Sequence, residues 1–239
     1  DYWVTHVLWS LQRQGFELWF KGGTSLSKGF GLVQRFSEDL DLKLEPGRVP
    51  GIPVVTNWSG KGTQAVSARK RFFEALEARL EIPSCMINQP GASDERYRER
   101  VIQVVYPGKH AAGLAAIMRP FVQLELGSAR VVPAVERDLD SWVHEHVRSR
   151  GLAADFVDNR PLRLRCVHPL VTLLEKLDAL SRRFSRESAD PAGYVRHFED
   201  AARIIRGSLP PLELTLVDPY TRMLETQDLT RPLRPDDPA

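Results

Sequence analysis

Hydrophobic residues recur at regular intervals through the first 44 positions of the chain. Four of them share one helical face between residues 3 and 14: Trp3, Val7, Leu8 and Leu11. This spacing predicts an amphipathic helix. The aromatic run over 16–20 indicates a buried strand, and a glycine turn over 21–25 leads into a short helix. Leucine alternates with charged residues over 40–44, which predicts a strand with one buried face.

The rest of the chain divides into helical and strand-like segments. Residues 45–62 are rich in Pro and Gly and are typical of a loop. A stripe of five leucines over 169–181 indicates a strong amphipathic helix. Further helices are predicted over 64–80, 134–149 and 192–206, and further strands over 101–106 and 119–126.

This order of elements predicts an α+β fold in two parts. A small mixed sheet flanked by helices would occupy residues 1–150, and a helical domain would occupy residues 151–227. The final segment, residues 228–239, is rich in Pro and charged residues and is predicted to be a flexible tail.

The composition is that of an ordinary globular protein, with 239 residues of which 42% are hydrophobic and 27% charged. It excludes wholesale disorder, collagen-like repeats and a disulfide scaffold. Cys85 and Cys166 form no CxxC pattern, which argues against a structural zinc site and favours a reducing, cytoplasmic compartment. No apolar run approaches the roughly 20 residues that a membrane helix needs, so no membrane partner is expected. The net charge of +2 does not by itself indicate a nucleic-acid partner.

Candidate chemistry is concentrated in the glycine turn and in the strand that follows it. Gly22 and Gly23 let backbone N–H groups approach a bound anion, and the next helix presents its positive end. Asp39 and Asp41 lie two apart on the strand, so their carboxylates share one face. Paired carboxylates beside a phosphate-binding turn are typical of a Mg²⁺ site. The alternatives are an ordinary turn and a solvated strand face.

Four short motifs occur in order along the chain. They are Lys21-Gly22-Gly23-Thr24-x-Leu26, Arg35-x-Ser37-x-Asp39-x-Asp41, Thr172-Leu173-Leu174-Glu175-Lys176-Leu177 and Arg196-His197-x-x-Asp200. On these motifs the sequence resembles the AbiEii/AbiGii-type nucleotidyltransferase toxins, which include the MenT toxins and belong to the DNA polymerase β-like superfamily. The resemblance spans residues 21–200. It implies a polymerase β-like nucleotidyltransferase core followed by a helical C-terminal half that completes the active site.

The resemblance also implies a role for each matched residue. Asp39 and Asp41 would bind Mg²⁺, with Glu125 on a later strand as the candidate third carboxylate. Asp200 would orient or deprotonate the acceptor hydroxyl, and Lys176 would neutralise charge on the leaving pyrophosphate. The residues implied to bind the nucleotide are Lys21, Gly22, Gly23, Thr24, Ser37 and Lys176, and Ser37 also counts among the implied catalytic residues.

Two of these roles have plainer alternatives when the residues are taken alone. Lys176 lies beside the leucine stripe, where a lysine is commonly a helix residue that reaches to solvent. Asp200 has Arg196 and Arg203 at helical spacing, as a surface charge often has. The presence of the Asp39 and Asp41 motif favours the catalytic roles.

The implied reaction is Mg²⁺-dependent transfer of a nucleoside monophosphate from an NTP to RNA, with the tRNA 3′ end as the expected acceptor. A cognate antitoxin is the expected partner. The alternative is a nucleotidyltransferase that acts on a small-molecule or protein hydroxyl. A binding module without catalysis is disfavoured, because a decayed enzyme would not need to keep the aspartate pair.

The distribution of charge bears on the acceptor. Residues 148–186 carry nine Lys or Arg against four acidic residues, a local net charge of +5. Such an excess can form a phosphate-binding surface. The candidate RNA-binding residues are Arg163, Arg165, Arg182 and Arg183. A solvated surface of salt bridges explains the same composition equally well.

Overall fold

A computed structural model describes residues 1–35, 37, 39–88, 95–108, 119–127, 131–183 and 191–225, with the backbone alone at 181–183, 191–194 and 222–225. The predicted tail over 228–239 lies outside the described residues. The described part contains seven strands, seven α-helices and two short 3₁₀ helices at Ala153–Asp155 and Leu214–Val217.

The seven strands form one mixed sheet in the order β3-β4-β5-β2-β1-β7-β6. The strands are β1 (Glu17–Lys21), β2 (Asp39–Glu45), β3 (Met86–Asn88), β4 (Glu99–Val105), β5 (Phe121–Gly127), β6 (Ala134–Arg137) and β7 (Leu164–Val167). The helices are α1 (Tyr2–Gln14), α2 (Gly22–Lys28), α3 (Thr63–Glu77), α4 (Trp142–Ser149), α5 (Pro169–Arg183), α6 (Pro191–Arg206) and α7 (Asp218–Glu225).

Strand β2 lies at the centre of the sheet, antiparallel to β1 and parallel to β5. Its leucines, Leu40, Leu42 and Leu44, are buried in the main core together with apolar residues of α1 and α3. Because side chains alternate along a strand, Asp39 and Asp41 project from the opposite face. The hydrophobic face of β2 therefore fixes the direction of both carboxylates.

The second face of the sheet is partly covered by the C-terminal helices. Leu174 of α5 and Tyr220 of α7 pack with Val167 in one buried cluster. Leu173 of α5 packs with Ile204 of α6 and with apolar residues near α2 in another. These contacts bring α5 and α6 beside the α2–β2 segment.

The predicted α+β class is confirmed, with a mixed sheet followed by helices. Two details differ from the sequence prediction. Helix α2 begins at Gly22, directly after β1, where a turn over 21–25 is predicted. The predicted helix over 134–149 is wrong in its first part, because Ala134–Arg137 pairs with β7 as a strand. Helix α4 begins only after Ser141, whose Oγ accepts a hydrogen bond from the backbone N–H of His144 as an N-cap.

Strands β3 and β7 and helix α7 are not predicted from the sequence. Strand β7 pairs in parallel with β1, although it falls within the segment 151–227 that is predicted to be helical. The sheet therefore draws on both parts of the chain, and the domain boundary stays a prediction.

Candidate active site

A row of charged side chains crosses the centre of the sheet. Asp41 on β2 is paired with Lys21 on β1 and with Glu125 on β5, and Asp39 is paired with Gln123. All five project from the face opposite the main core. Strand pairing therefore brings together Lys21 and the three predicted carboxylates, which belong to three separate strands.

The electrostatics of this row reflect burial and crowding of like charges. The pKa of Asp41 is raised to about 6, mainly by burial and also by Glu125 and Asp39, against the opposing effects of Lys21 and Lys176. The pKa of Asp39 is also raised, by burial and by Glu125, against the effect of Arg119. The ionised carboxylates thus repel one another in a partly desolvated place, where a bound cation would stabilise them.

Asp39 has a carboxylate oxygen that is available to bind a metal ion. Its Oδ1 is buried and has no hydrogen-bond partner among the described residues, and Arg119 Nη1 lies 3.7 Å away. Within the same described residues, no three His, Cys, Asp or Glu side chains are grouped closely enough to hold a metal ion. Mg²⁺ commonly takes only one or two carboxylates and completes its shell with water and substrate phosphates. Asp39 and Asp41 satisfy that requirement, and Glu125 as a third ligand stays a prediction.

The two glycines are close to other parts of the site. Gly22 has a φ of +74°, and a Cβ placed on it would lie 1.9 Å from Asp41 Oδ2. A Cβ on Gly23 would lie 2.5 Å from Arg35 Nη2 and 3.5 Å from Asp200 Oδ2. Thr24 Oγ1 donates a hydrogen bond to the backbone carbonyl of Asp39 at 2.6 Å, which ties α2 to β2. The lack of side chains at both glycines is therefore needed for the charged groups to approach.

Asp200 of α6 is the most enclosed of the predicted site residues. Its side chain has 0% exposure, and Arg35 donates to both of its oxygens, from Nη1 at 2.5 Å and from Nη2 at 2.9 Å. Lys176 Nζ of α5 lies 2.7 Å from Asp200 Oδ2. The alternatives of a surface aspartate and of a lysine that reaches to solvent are therefore wrong.

Two clefts adjoin these groups. One, of about 260 Å³, is lined by Thr24, Arg35 and Ser37 together with Trp142 of α4 and four acidic residues, Asp1, Asp138, Asp140 and Glu145. The other, of about 150 Å³, is lined by Lys21, Asp41 and Glu125 together with residues of β4. Each predicted nucleotide-binding residue except Gly22, Gly23 and Lys176 lines one of the two clefts.

A family model described as "Nucleotidyl transferase AbiEii toxin, Type IV TA system" matches residues 8–236. The match covers all four motifs and every element from the second half of α1 to the end of α7. This chain belongs to the AbiEii nucleotidyltransferase toxin family. The predicted resemblance is confirmed, and the chain is a nucleotidyltransferase of a toxin–antitoxin system.

The chain was also compared with solved structures and with curated proteins. A solved structure of an antigenic nucleotidyltransferase-like protein from Paracoccidioides brasiliensis is similar to this AbiEii protein, with a TM-score of 0.49 and 13% identity. The similarity covers 98% of this chain and 88% of that one. No curated protein matches the sequence.

Membership in the AbiEii family implies an NTP substrate and an antitoxin as partner. None of the described helices is both long enough and apolar enough to pass through a lipid bilayer.

The structure describes the side chains of two of the four predicted RNA-binding arginines. Arg163 forms an ion pair with Glu136 at 2.8 Å, and Arg165 pairs with Glu17 at 3.1 Å and stacks over Trp19. Arg182 and Arg183 lie at the end of α5, and their side chains are outside the described residues. The two described arginines thus have acidic partners, as the salt-bridge alternative expects, while RNA binding stays a prediction.

Arg35 is a site residue that has no predicted role. It lies in the second motif, two residues before Ser37, and this position is the sequence feature that could have marked it as part of the site. Its significance depends on Asp200, which is 165 residues away in the chain.

Proposed function

We propose that this AbiEii-family enzyme transfers a nucleoside monophosphate from an NTP to RNA, with the 3′ end of tRNA as the acceptor, in a Mg²⁺-dependent reaction. The observation that carries the proposal is the position of Asp39 and Asp41. Both project from one face of β2, and Asp41 is paired with Glu125 on β5 and lies directly against Gly22. Metal-assisted nucleotidyl transfer requires carboxylates that lie next to the place where the phosphate groups bind.

Asp39 and Asp41 would hold the metal ion. Two observations support this assignment. Asp39 Oδ1 is buried without a hydrogen bond, and a divalent cation would give it a partner. The pKa of both aspartates is raised, and a divalent cation would stabilise their ionised forms. When bound, Mg²⁺ would polarise the phosphates and stabilise the charge that develops on them.

The chain's own residues would bind and orient the reactants. In the reaction, the acceptor hydroxyl oxygen forms a bond to the α-phosphorus, the bond from that phosphorus to the β-phosphate oxygen breaks, and the hydroxyl proton is released to solvent. Lys21 and Lys176, which both act electrostatically on Asp41, would stabilise the leaving pyrophosphate. Catalysis would then depend mainly on positioning and electrostatics.

RNA as the acceptor is supported by the positive charge of residues 148–186. Within this segment, Arg163 and Arg165 are already paired with acidic residues. Replacing Arg182 and Arg183 together by Ala should weaken RNA binding and reduce its dependence on salt. Unchanged RNA affinity and unchanged salt dependence would remove this pair from the acceptor surface.

The direct test is to incubate the protein with each labelled NTP, Mg²⁺ and total tRNA. Label on tRNA is expected, and Asp39→Ala should abolish it. Glu45→Gln is the matched control, because Glu45 lies on the same strand and face but is paired with Lys43, at 3.0 Å. Full activity of Asp39→Ala would refute the metal-site assignment. Label on protein or on small molecules, with none on RNA, would refute the RNA acceptor and favour the alternative substrate class.

A further inference from the structure

We infer that Asp200 is a buried counter-ion that positions Arg35 and Lys176, and that Arg35 thereby becomes a third cationic contact for the triphosphate of the NTP, beside Lys21 and Lys176. This inference rests on the proposed binding of the triphosphate beside Gly22 and Gly23. It gives Asp200 a positioning role in place of direct contact with the acceptor hydroxyl.

The geometry around Asp200 leaves no oxygen for a substrate. Its side chain has 0% exposure, both oxygens accept from Arg35, and Oδ2 also faces Lys176. A general base must come within hydrogen-bonding distance of the proton that it removes. A fully enclosed carboxylate with two cationic partners is better suited to hold those partners in place.

The three charges leave a surplus of positive charge. One carboxylate neutralises one of the two cations, so the group formed by Arg35, Lys176 and Asp200 carries a net +1. Arg35 has five N–H donors, of which two bind Asp200, and Lys176 has three, of which one faces Asp200. Since 30% of the Arg35 side chain and 12% of the Lys176 side chain are exposed, their remaining donors can reach a bound anion.

The location of this surplus indicates its ligand. Arg35 Nη2 lies 2.5 Å from the point where a Gly23 side chain would begin. Lys176 acts electrostatically on Asp41. One cation thus adjoins Gly23, and the other is near the aspartate that is proposed to bind the metal. A planar guanidinium held by a bidentate carboxylate is a common way to present donors to phosphate.

The chain connectivity adds a further consequence. Arg35 follows α2, Lys176 is on α5 and Asp200 is on α6, so a single buried carboxylate joins the N-terminal part of the site to both C-terminal helices. Loss of Asp200 should therefore displace two phosphate contacts at once without removing either cation from the chain.

The test measures the affinity of the protein for an NTP and for the matching NMP in the presence of Mg²⁺. Arg35→Ala should weaken NTP binding about tenfold or more, the size expected for loss of a charge-assisted hydrogen bond, and leave NMP binding nearly unchanged. Arg35→Lys keeps the charge and should lie between wild type and Arg35→Ala. Arg160→Ala is the control, because it breaks a bidentate pair with the exposed Asp158 and should not alter NTP affinity.

Asp200→Asn separates positioning from base catalysis. Positioning predicts weaker NTP binding, a raised KM for the NTP and an unchanged pH profile of the residual rate. It also predicts that Asp200→Asn and Arg35→Ala are not additive, since Asp200→Asn already displaces the contact that Arg35→Ala removes. A general-base role predicts wild-type NTP affinity with a lower kcat and a lost acidic limb in the pH profile, and that result would overturn the inference.

Folding of each variant is checked by thermal unfolding, and Arg35→Lys keeps the test decisive if Asp200→Asn does not fold. Wild-type NTP affinity in both Arg35 variants would also overturn the inference. NTP affinity does not depend on the acceptor, so failure to label RNA with an intact Arg35 effect would count against the proposed acceptor alone.

Discussion

Replacing Asp41 by Asn should make the protein more stable at neutral pH while it abolishes nucleotidyl transfer. Asp41 is held among Glu125, Asp39 and Gly22 in a desolvated position, and its pKa is raised to about 6. An aspartate in an unfolded chain has a pKa near 3.9, so the native state binds more protons than the unfolded state between these two values. The free energy of unfolding of the wild-type protein should therefore decrease as the pH rises from about 4 to 6, because Asp41 ionises in this range.

The magnitude follows from the difference between the two pKa values. A rise of about two pH units corresponds to about 3 kcal/mol at pH values above both, since each unit is worth 1.36 kcal/mol. Lys21 and Lys176 oppose the rise and are already included in it. Asn carries no charge, so Asp41→Asn should unfold with a free energy that exceeds that of the wild type by up to about 3 kcal/mol at pH 7.5. The two proteins should differ little near pH 4.

The assay is urea unfolding of both proteins from pH 4 to 8 in the presence of EDTA. Asp39→Asn is the matched control, because Asp39 lies on the same strand but 45% of its side chain is exposed, so its replacement should stabilise the protein less. Adding Mg²⁺ should stabilise the wild type and have little effect on Asp41→Asn.

Two results would refute this reasoning. If Asp41→Asn is no more stable than the wild type at pH 7.5, the buried Asp41 carboxylate does not lower the free energy of unfolding. A difference between the two proteins that does not vary with pH would show that it comes from packing, not from the buried charge.

Two further predictions concern the backbone and the core. Gly22→Ala should abolish transfer and destabilise the protein by about 2 kcal/mol or more, from strain at positive φ and collision with Asp41. Gly31→Ala shares the positive φ but meets nothing within 4 Å, so equal losses in thermal unfolding and activity for both variants would exclude the collision. Arg69→Met should cost about 3–5 kcal/mol in urea unfolding, because buried Arg69 binds four backbone carbonyl groups that would lose their partner. Lys70→Met, on the exposed face of α3, is its control, and similar stability of the two variants would contradict this account.

The sequence was most informative where burial follows a short period. The alternation of leucine and charged residues in β2 determines both its buried face and the shared direction of Asp39 and Asp41. The leucine stripe likewise predicts α5, because one helical face must contact a core. The order of the four motifs was sufficient to predict the nucleotidyltransferase family.

The sequence was least informative where an element depends on a distant partner. Residues 134–137 have no period that distinguishes strand from helix, and they are extended because they pair with β7. Strand β7 has four residues and joins the sheet beside β1, which is more than 140 positions earlier in the chain. Local propensity is a weak guide for such short strands.

The sequence by itself determined the family, the carboxylate pair and the chemistry that these residues can perform. Only the tertiary structure decided how they are arranged: Gly22 against Asp41, Gly23 against Arg35, and Asp200 enclosed by Arg35 and Lys176. The physical reason is that a residue's type and local spacing determine its charge and the face from which it projects. Its pKa, its partners and its access to substrate depend instead on which distant helices and strands pack around it.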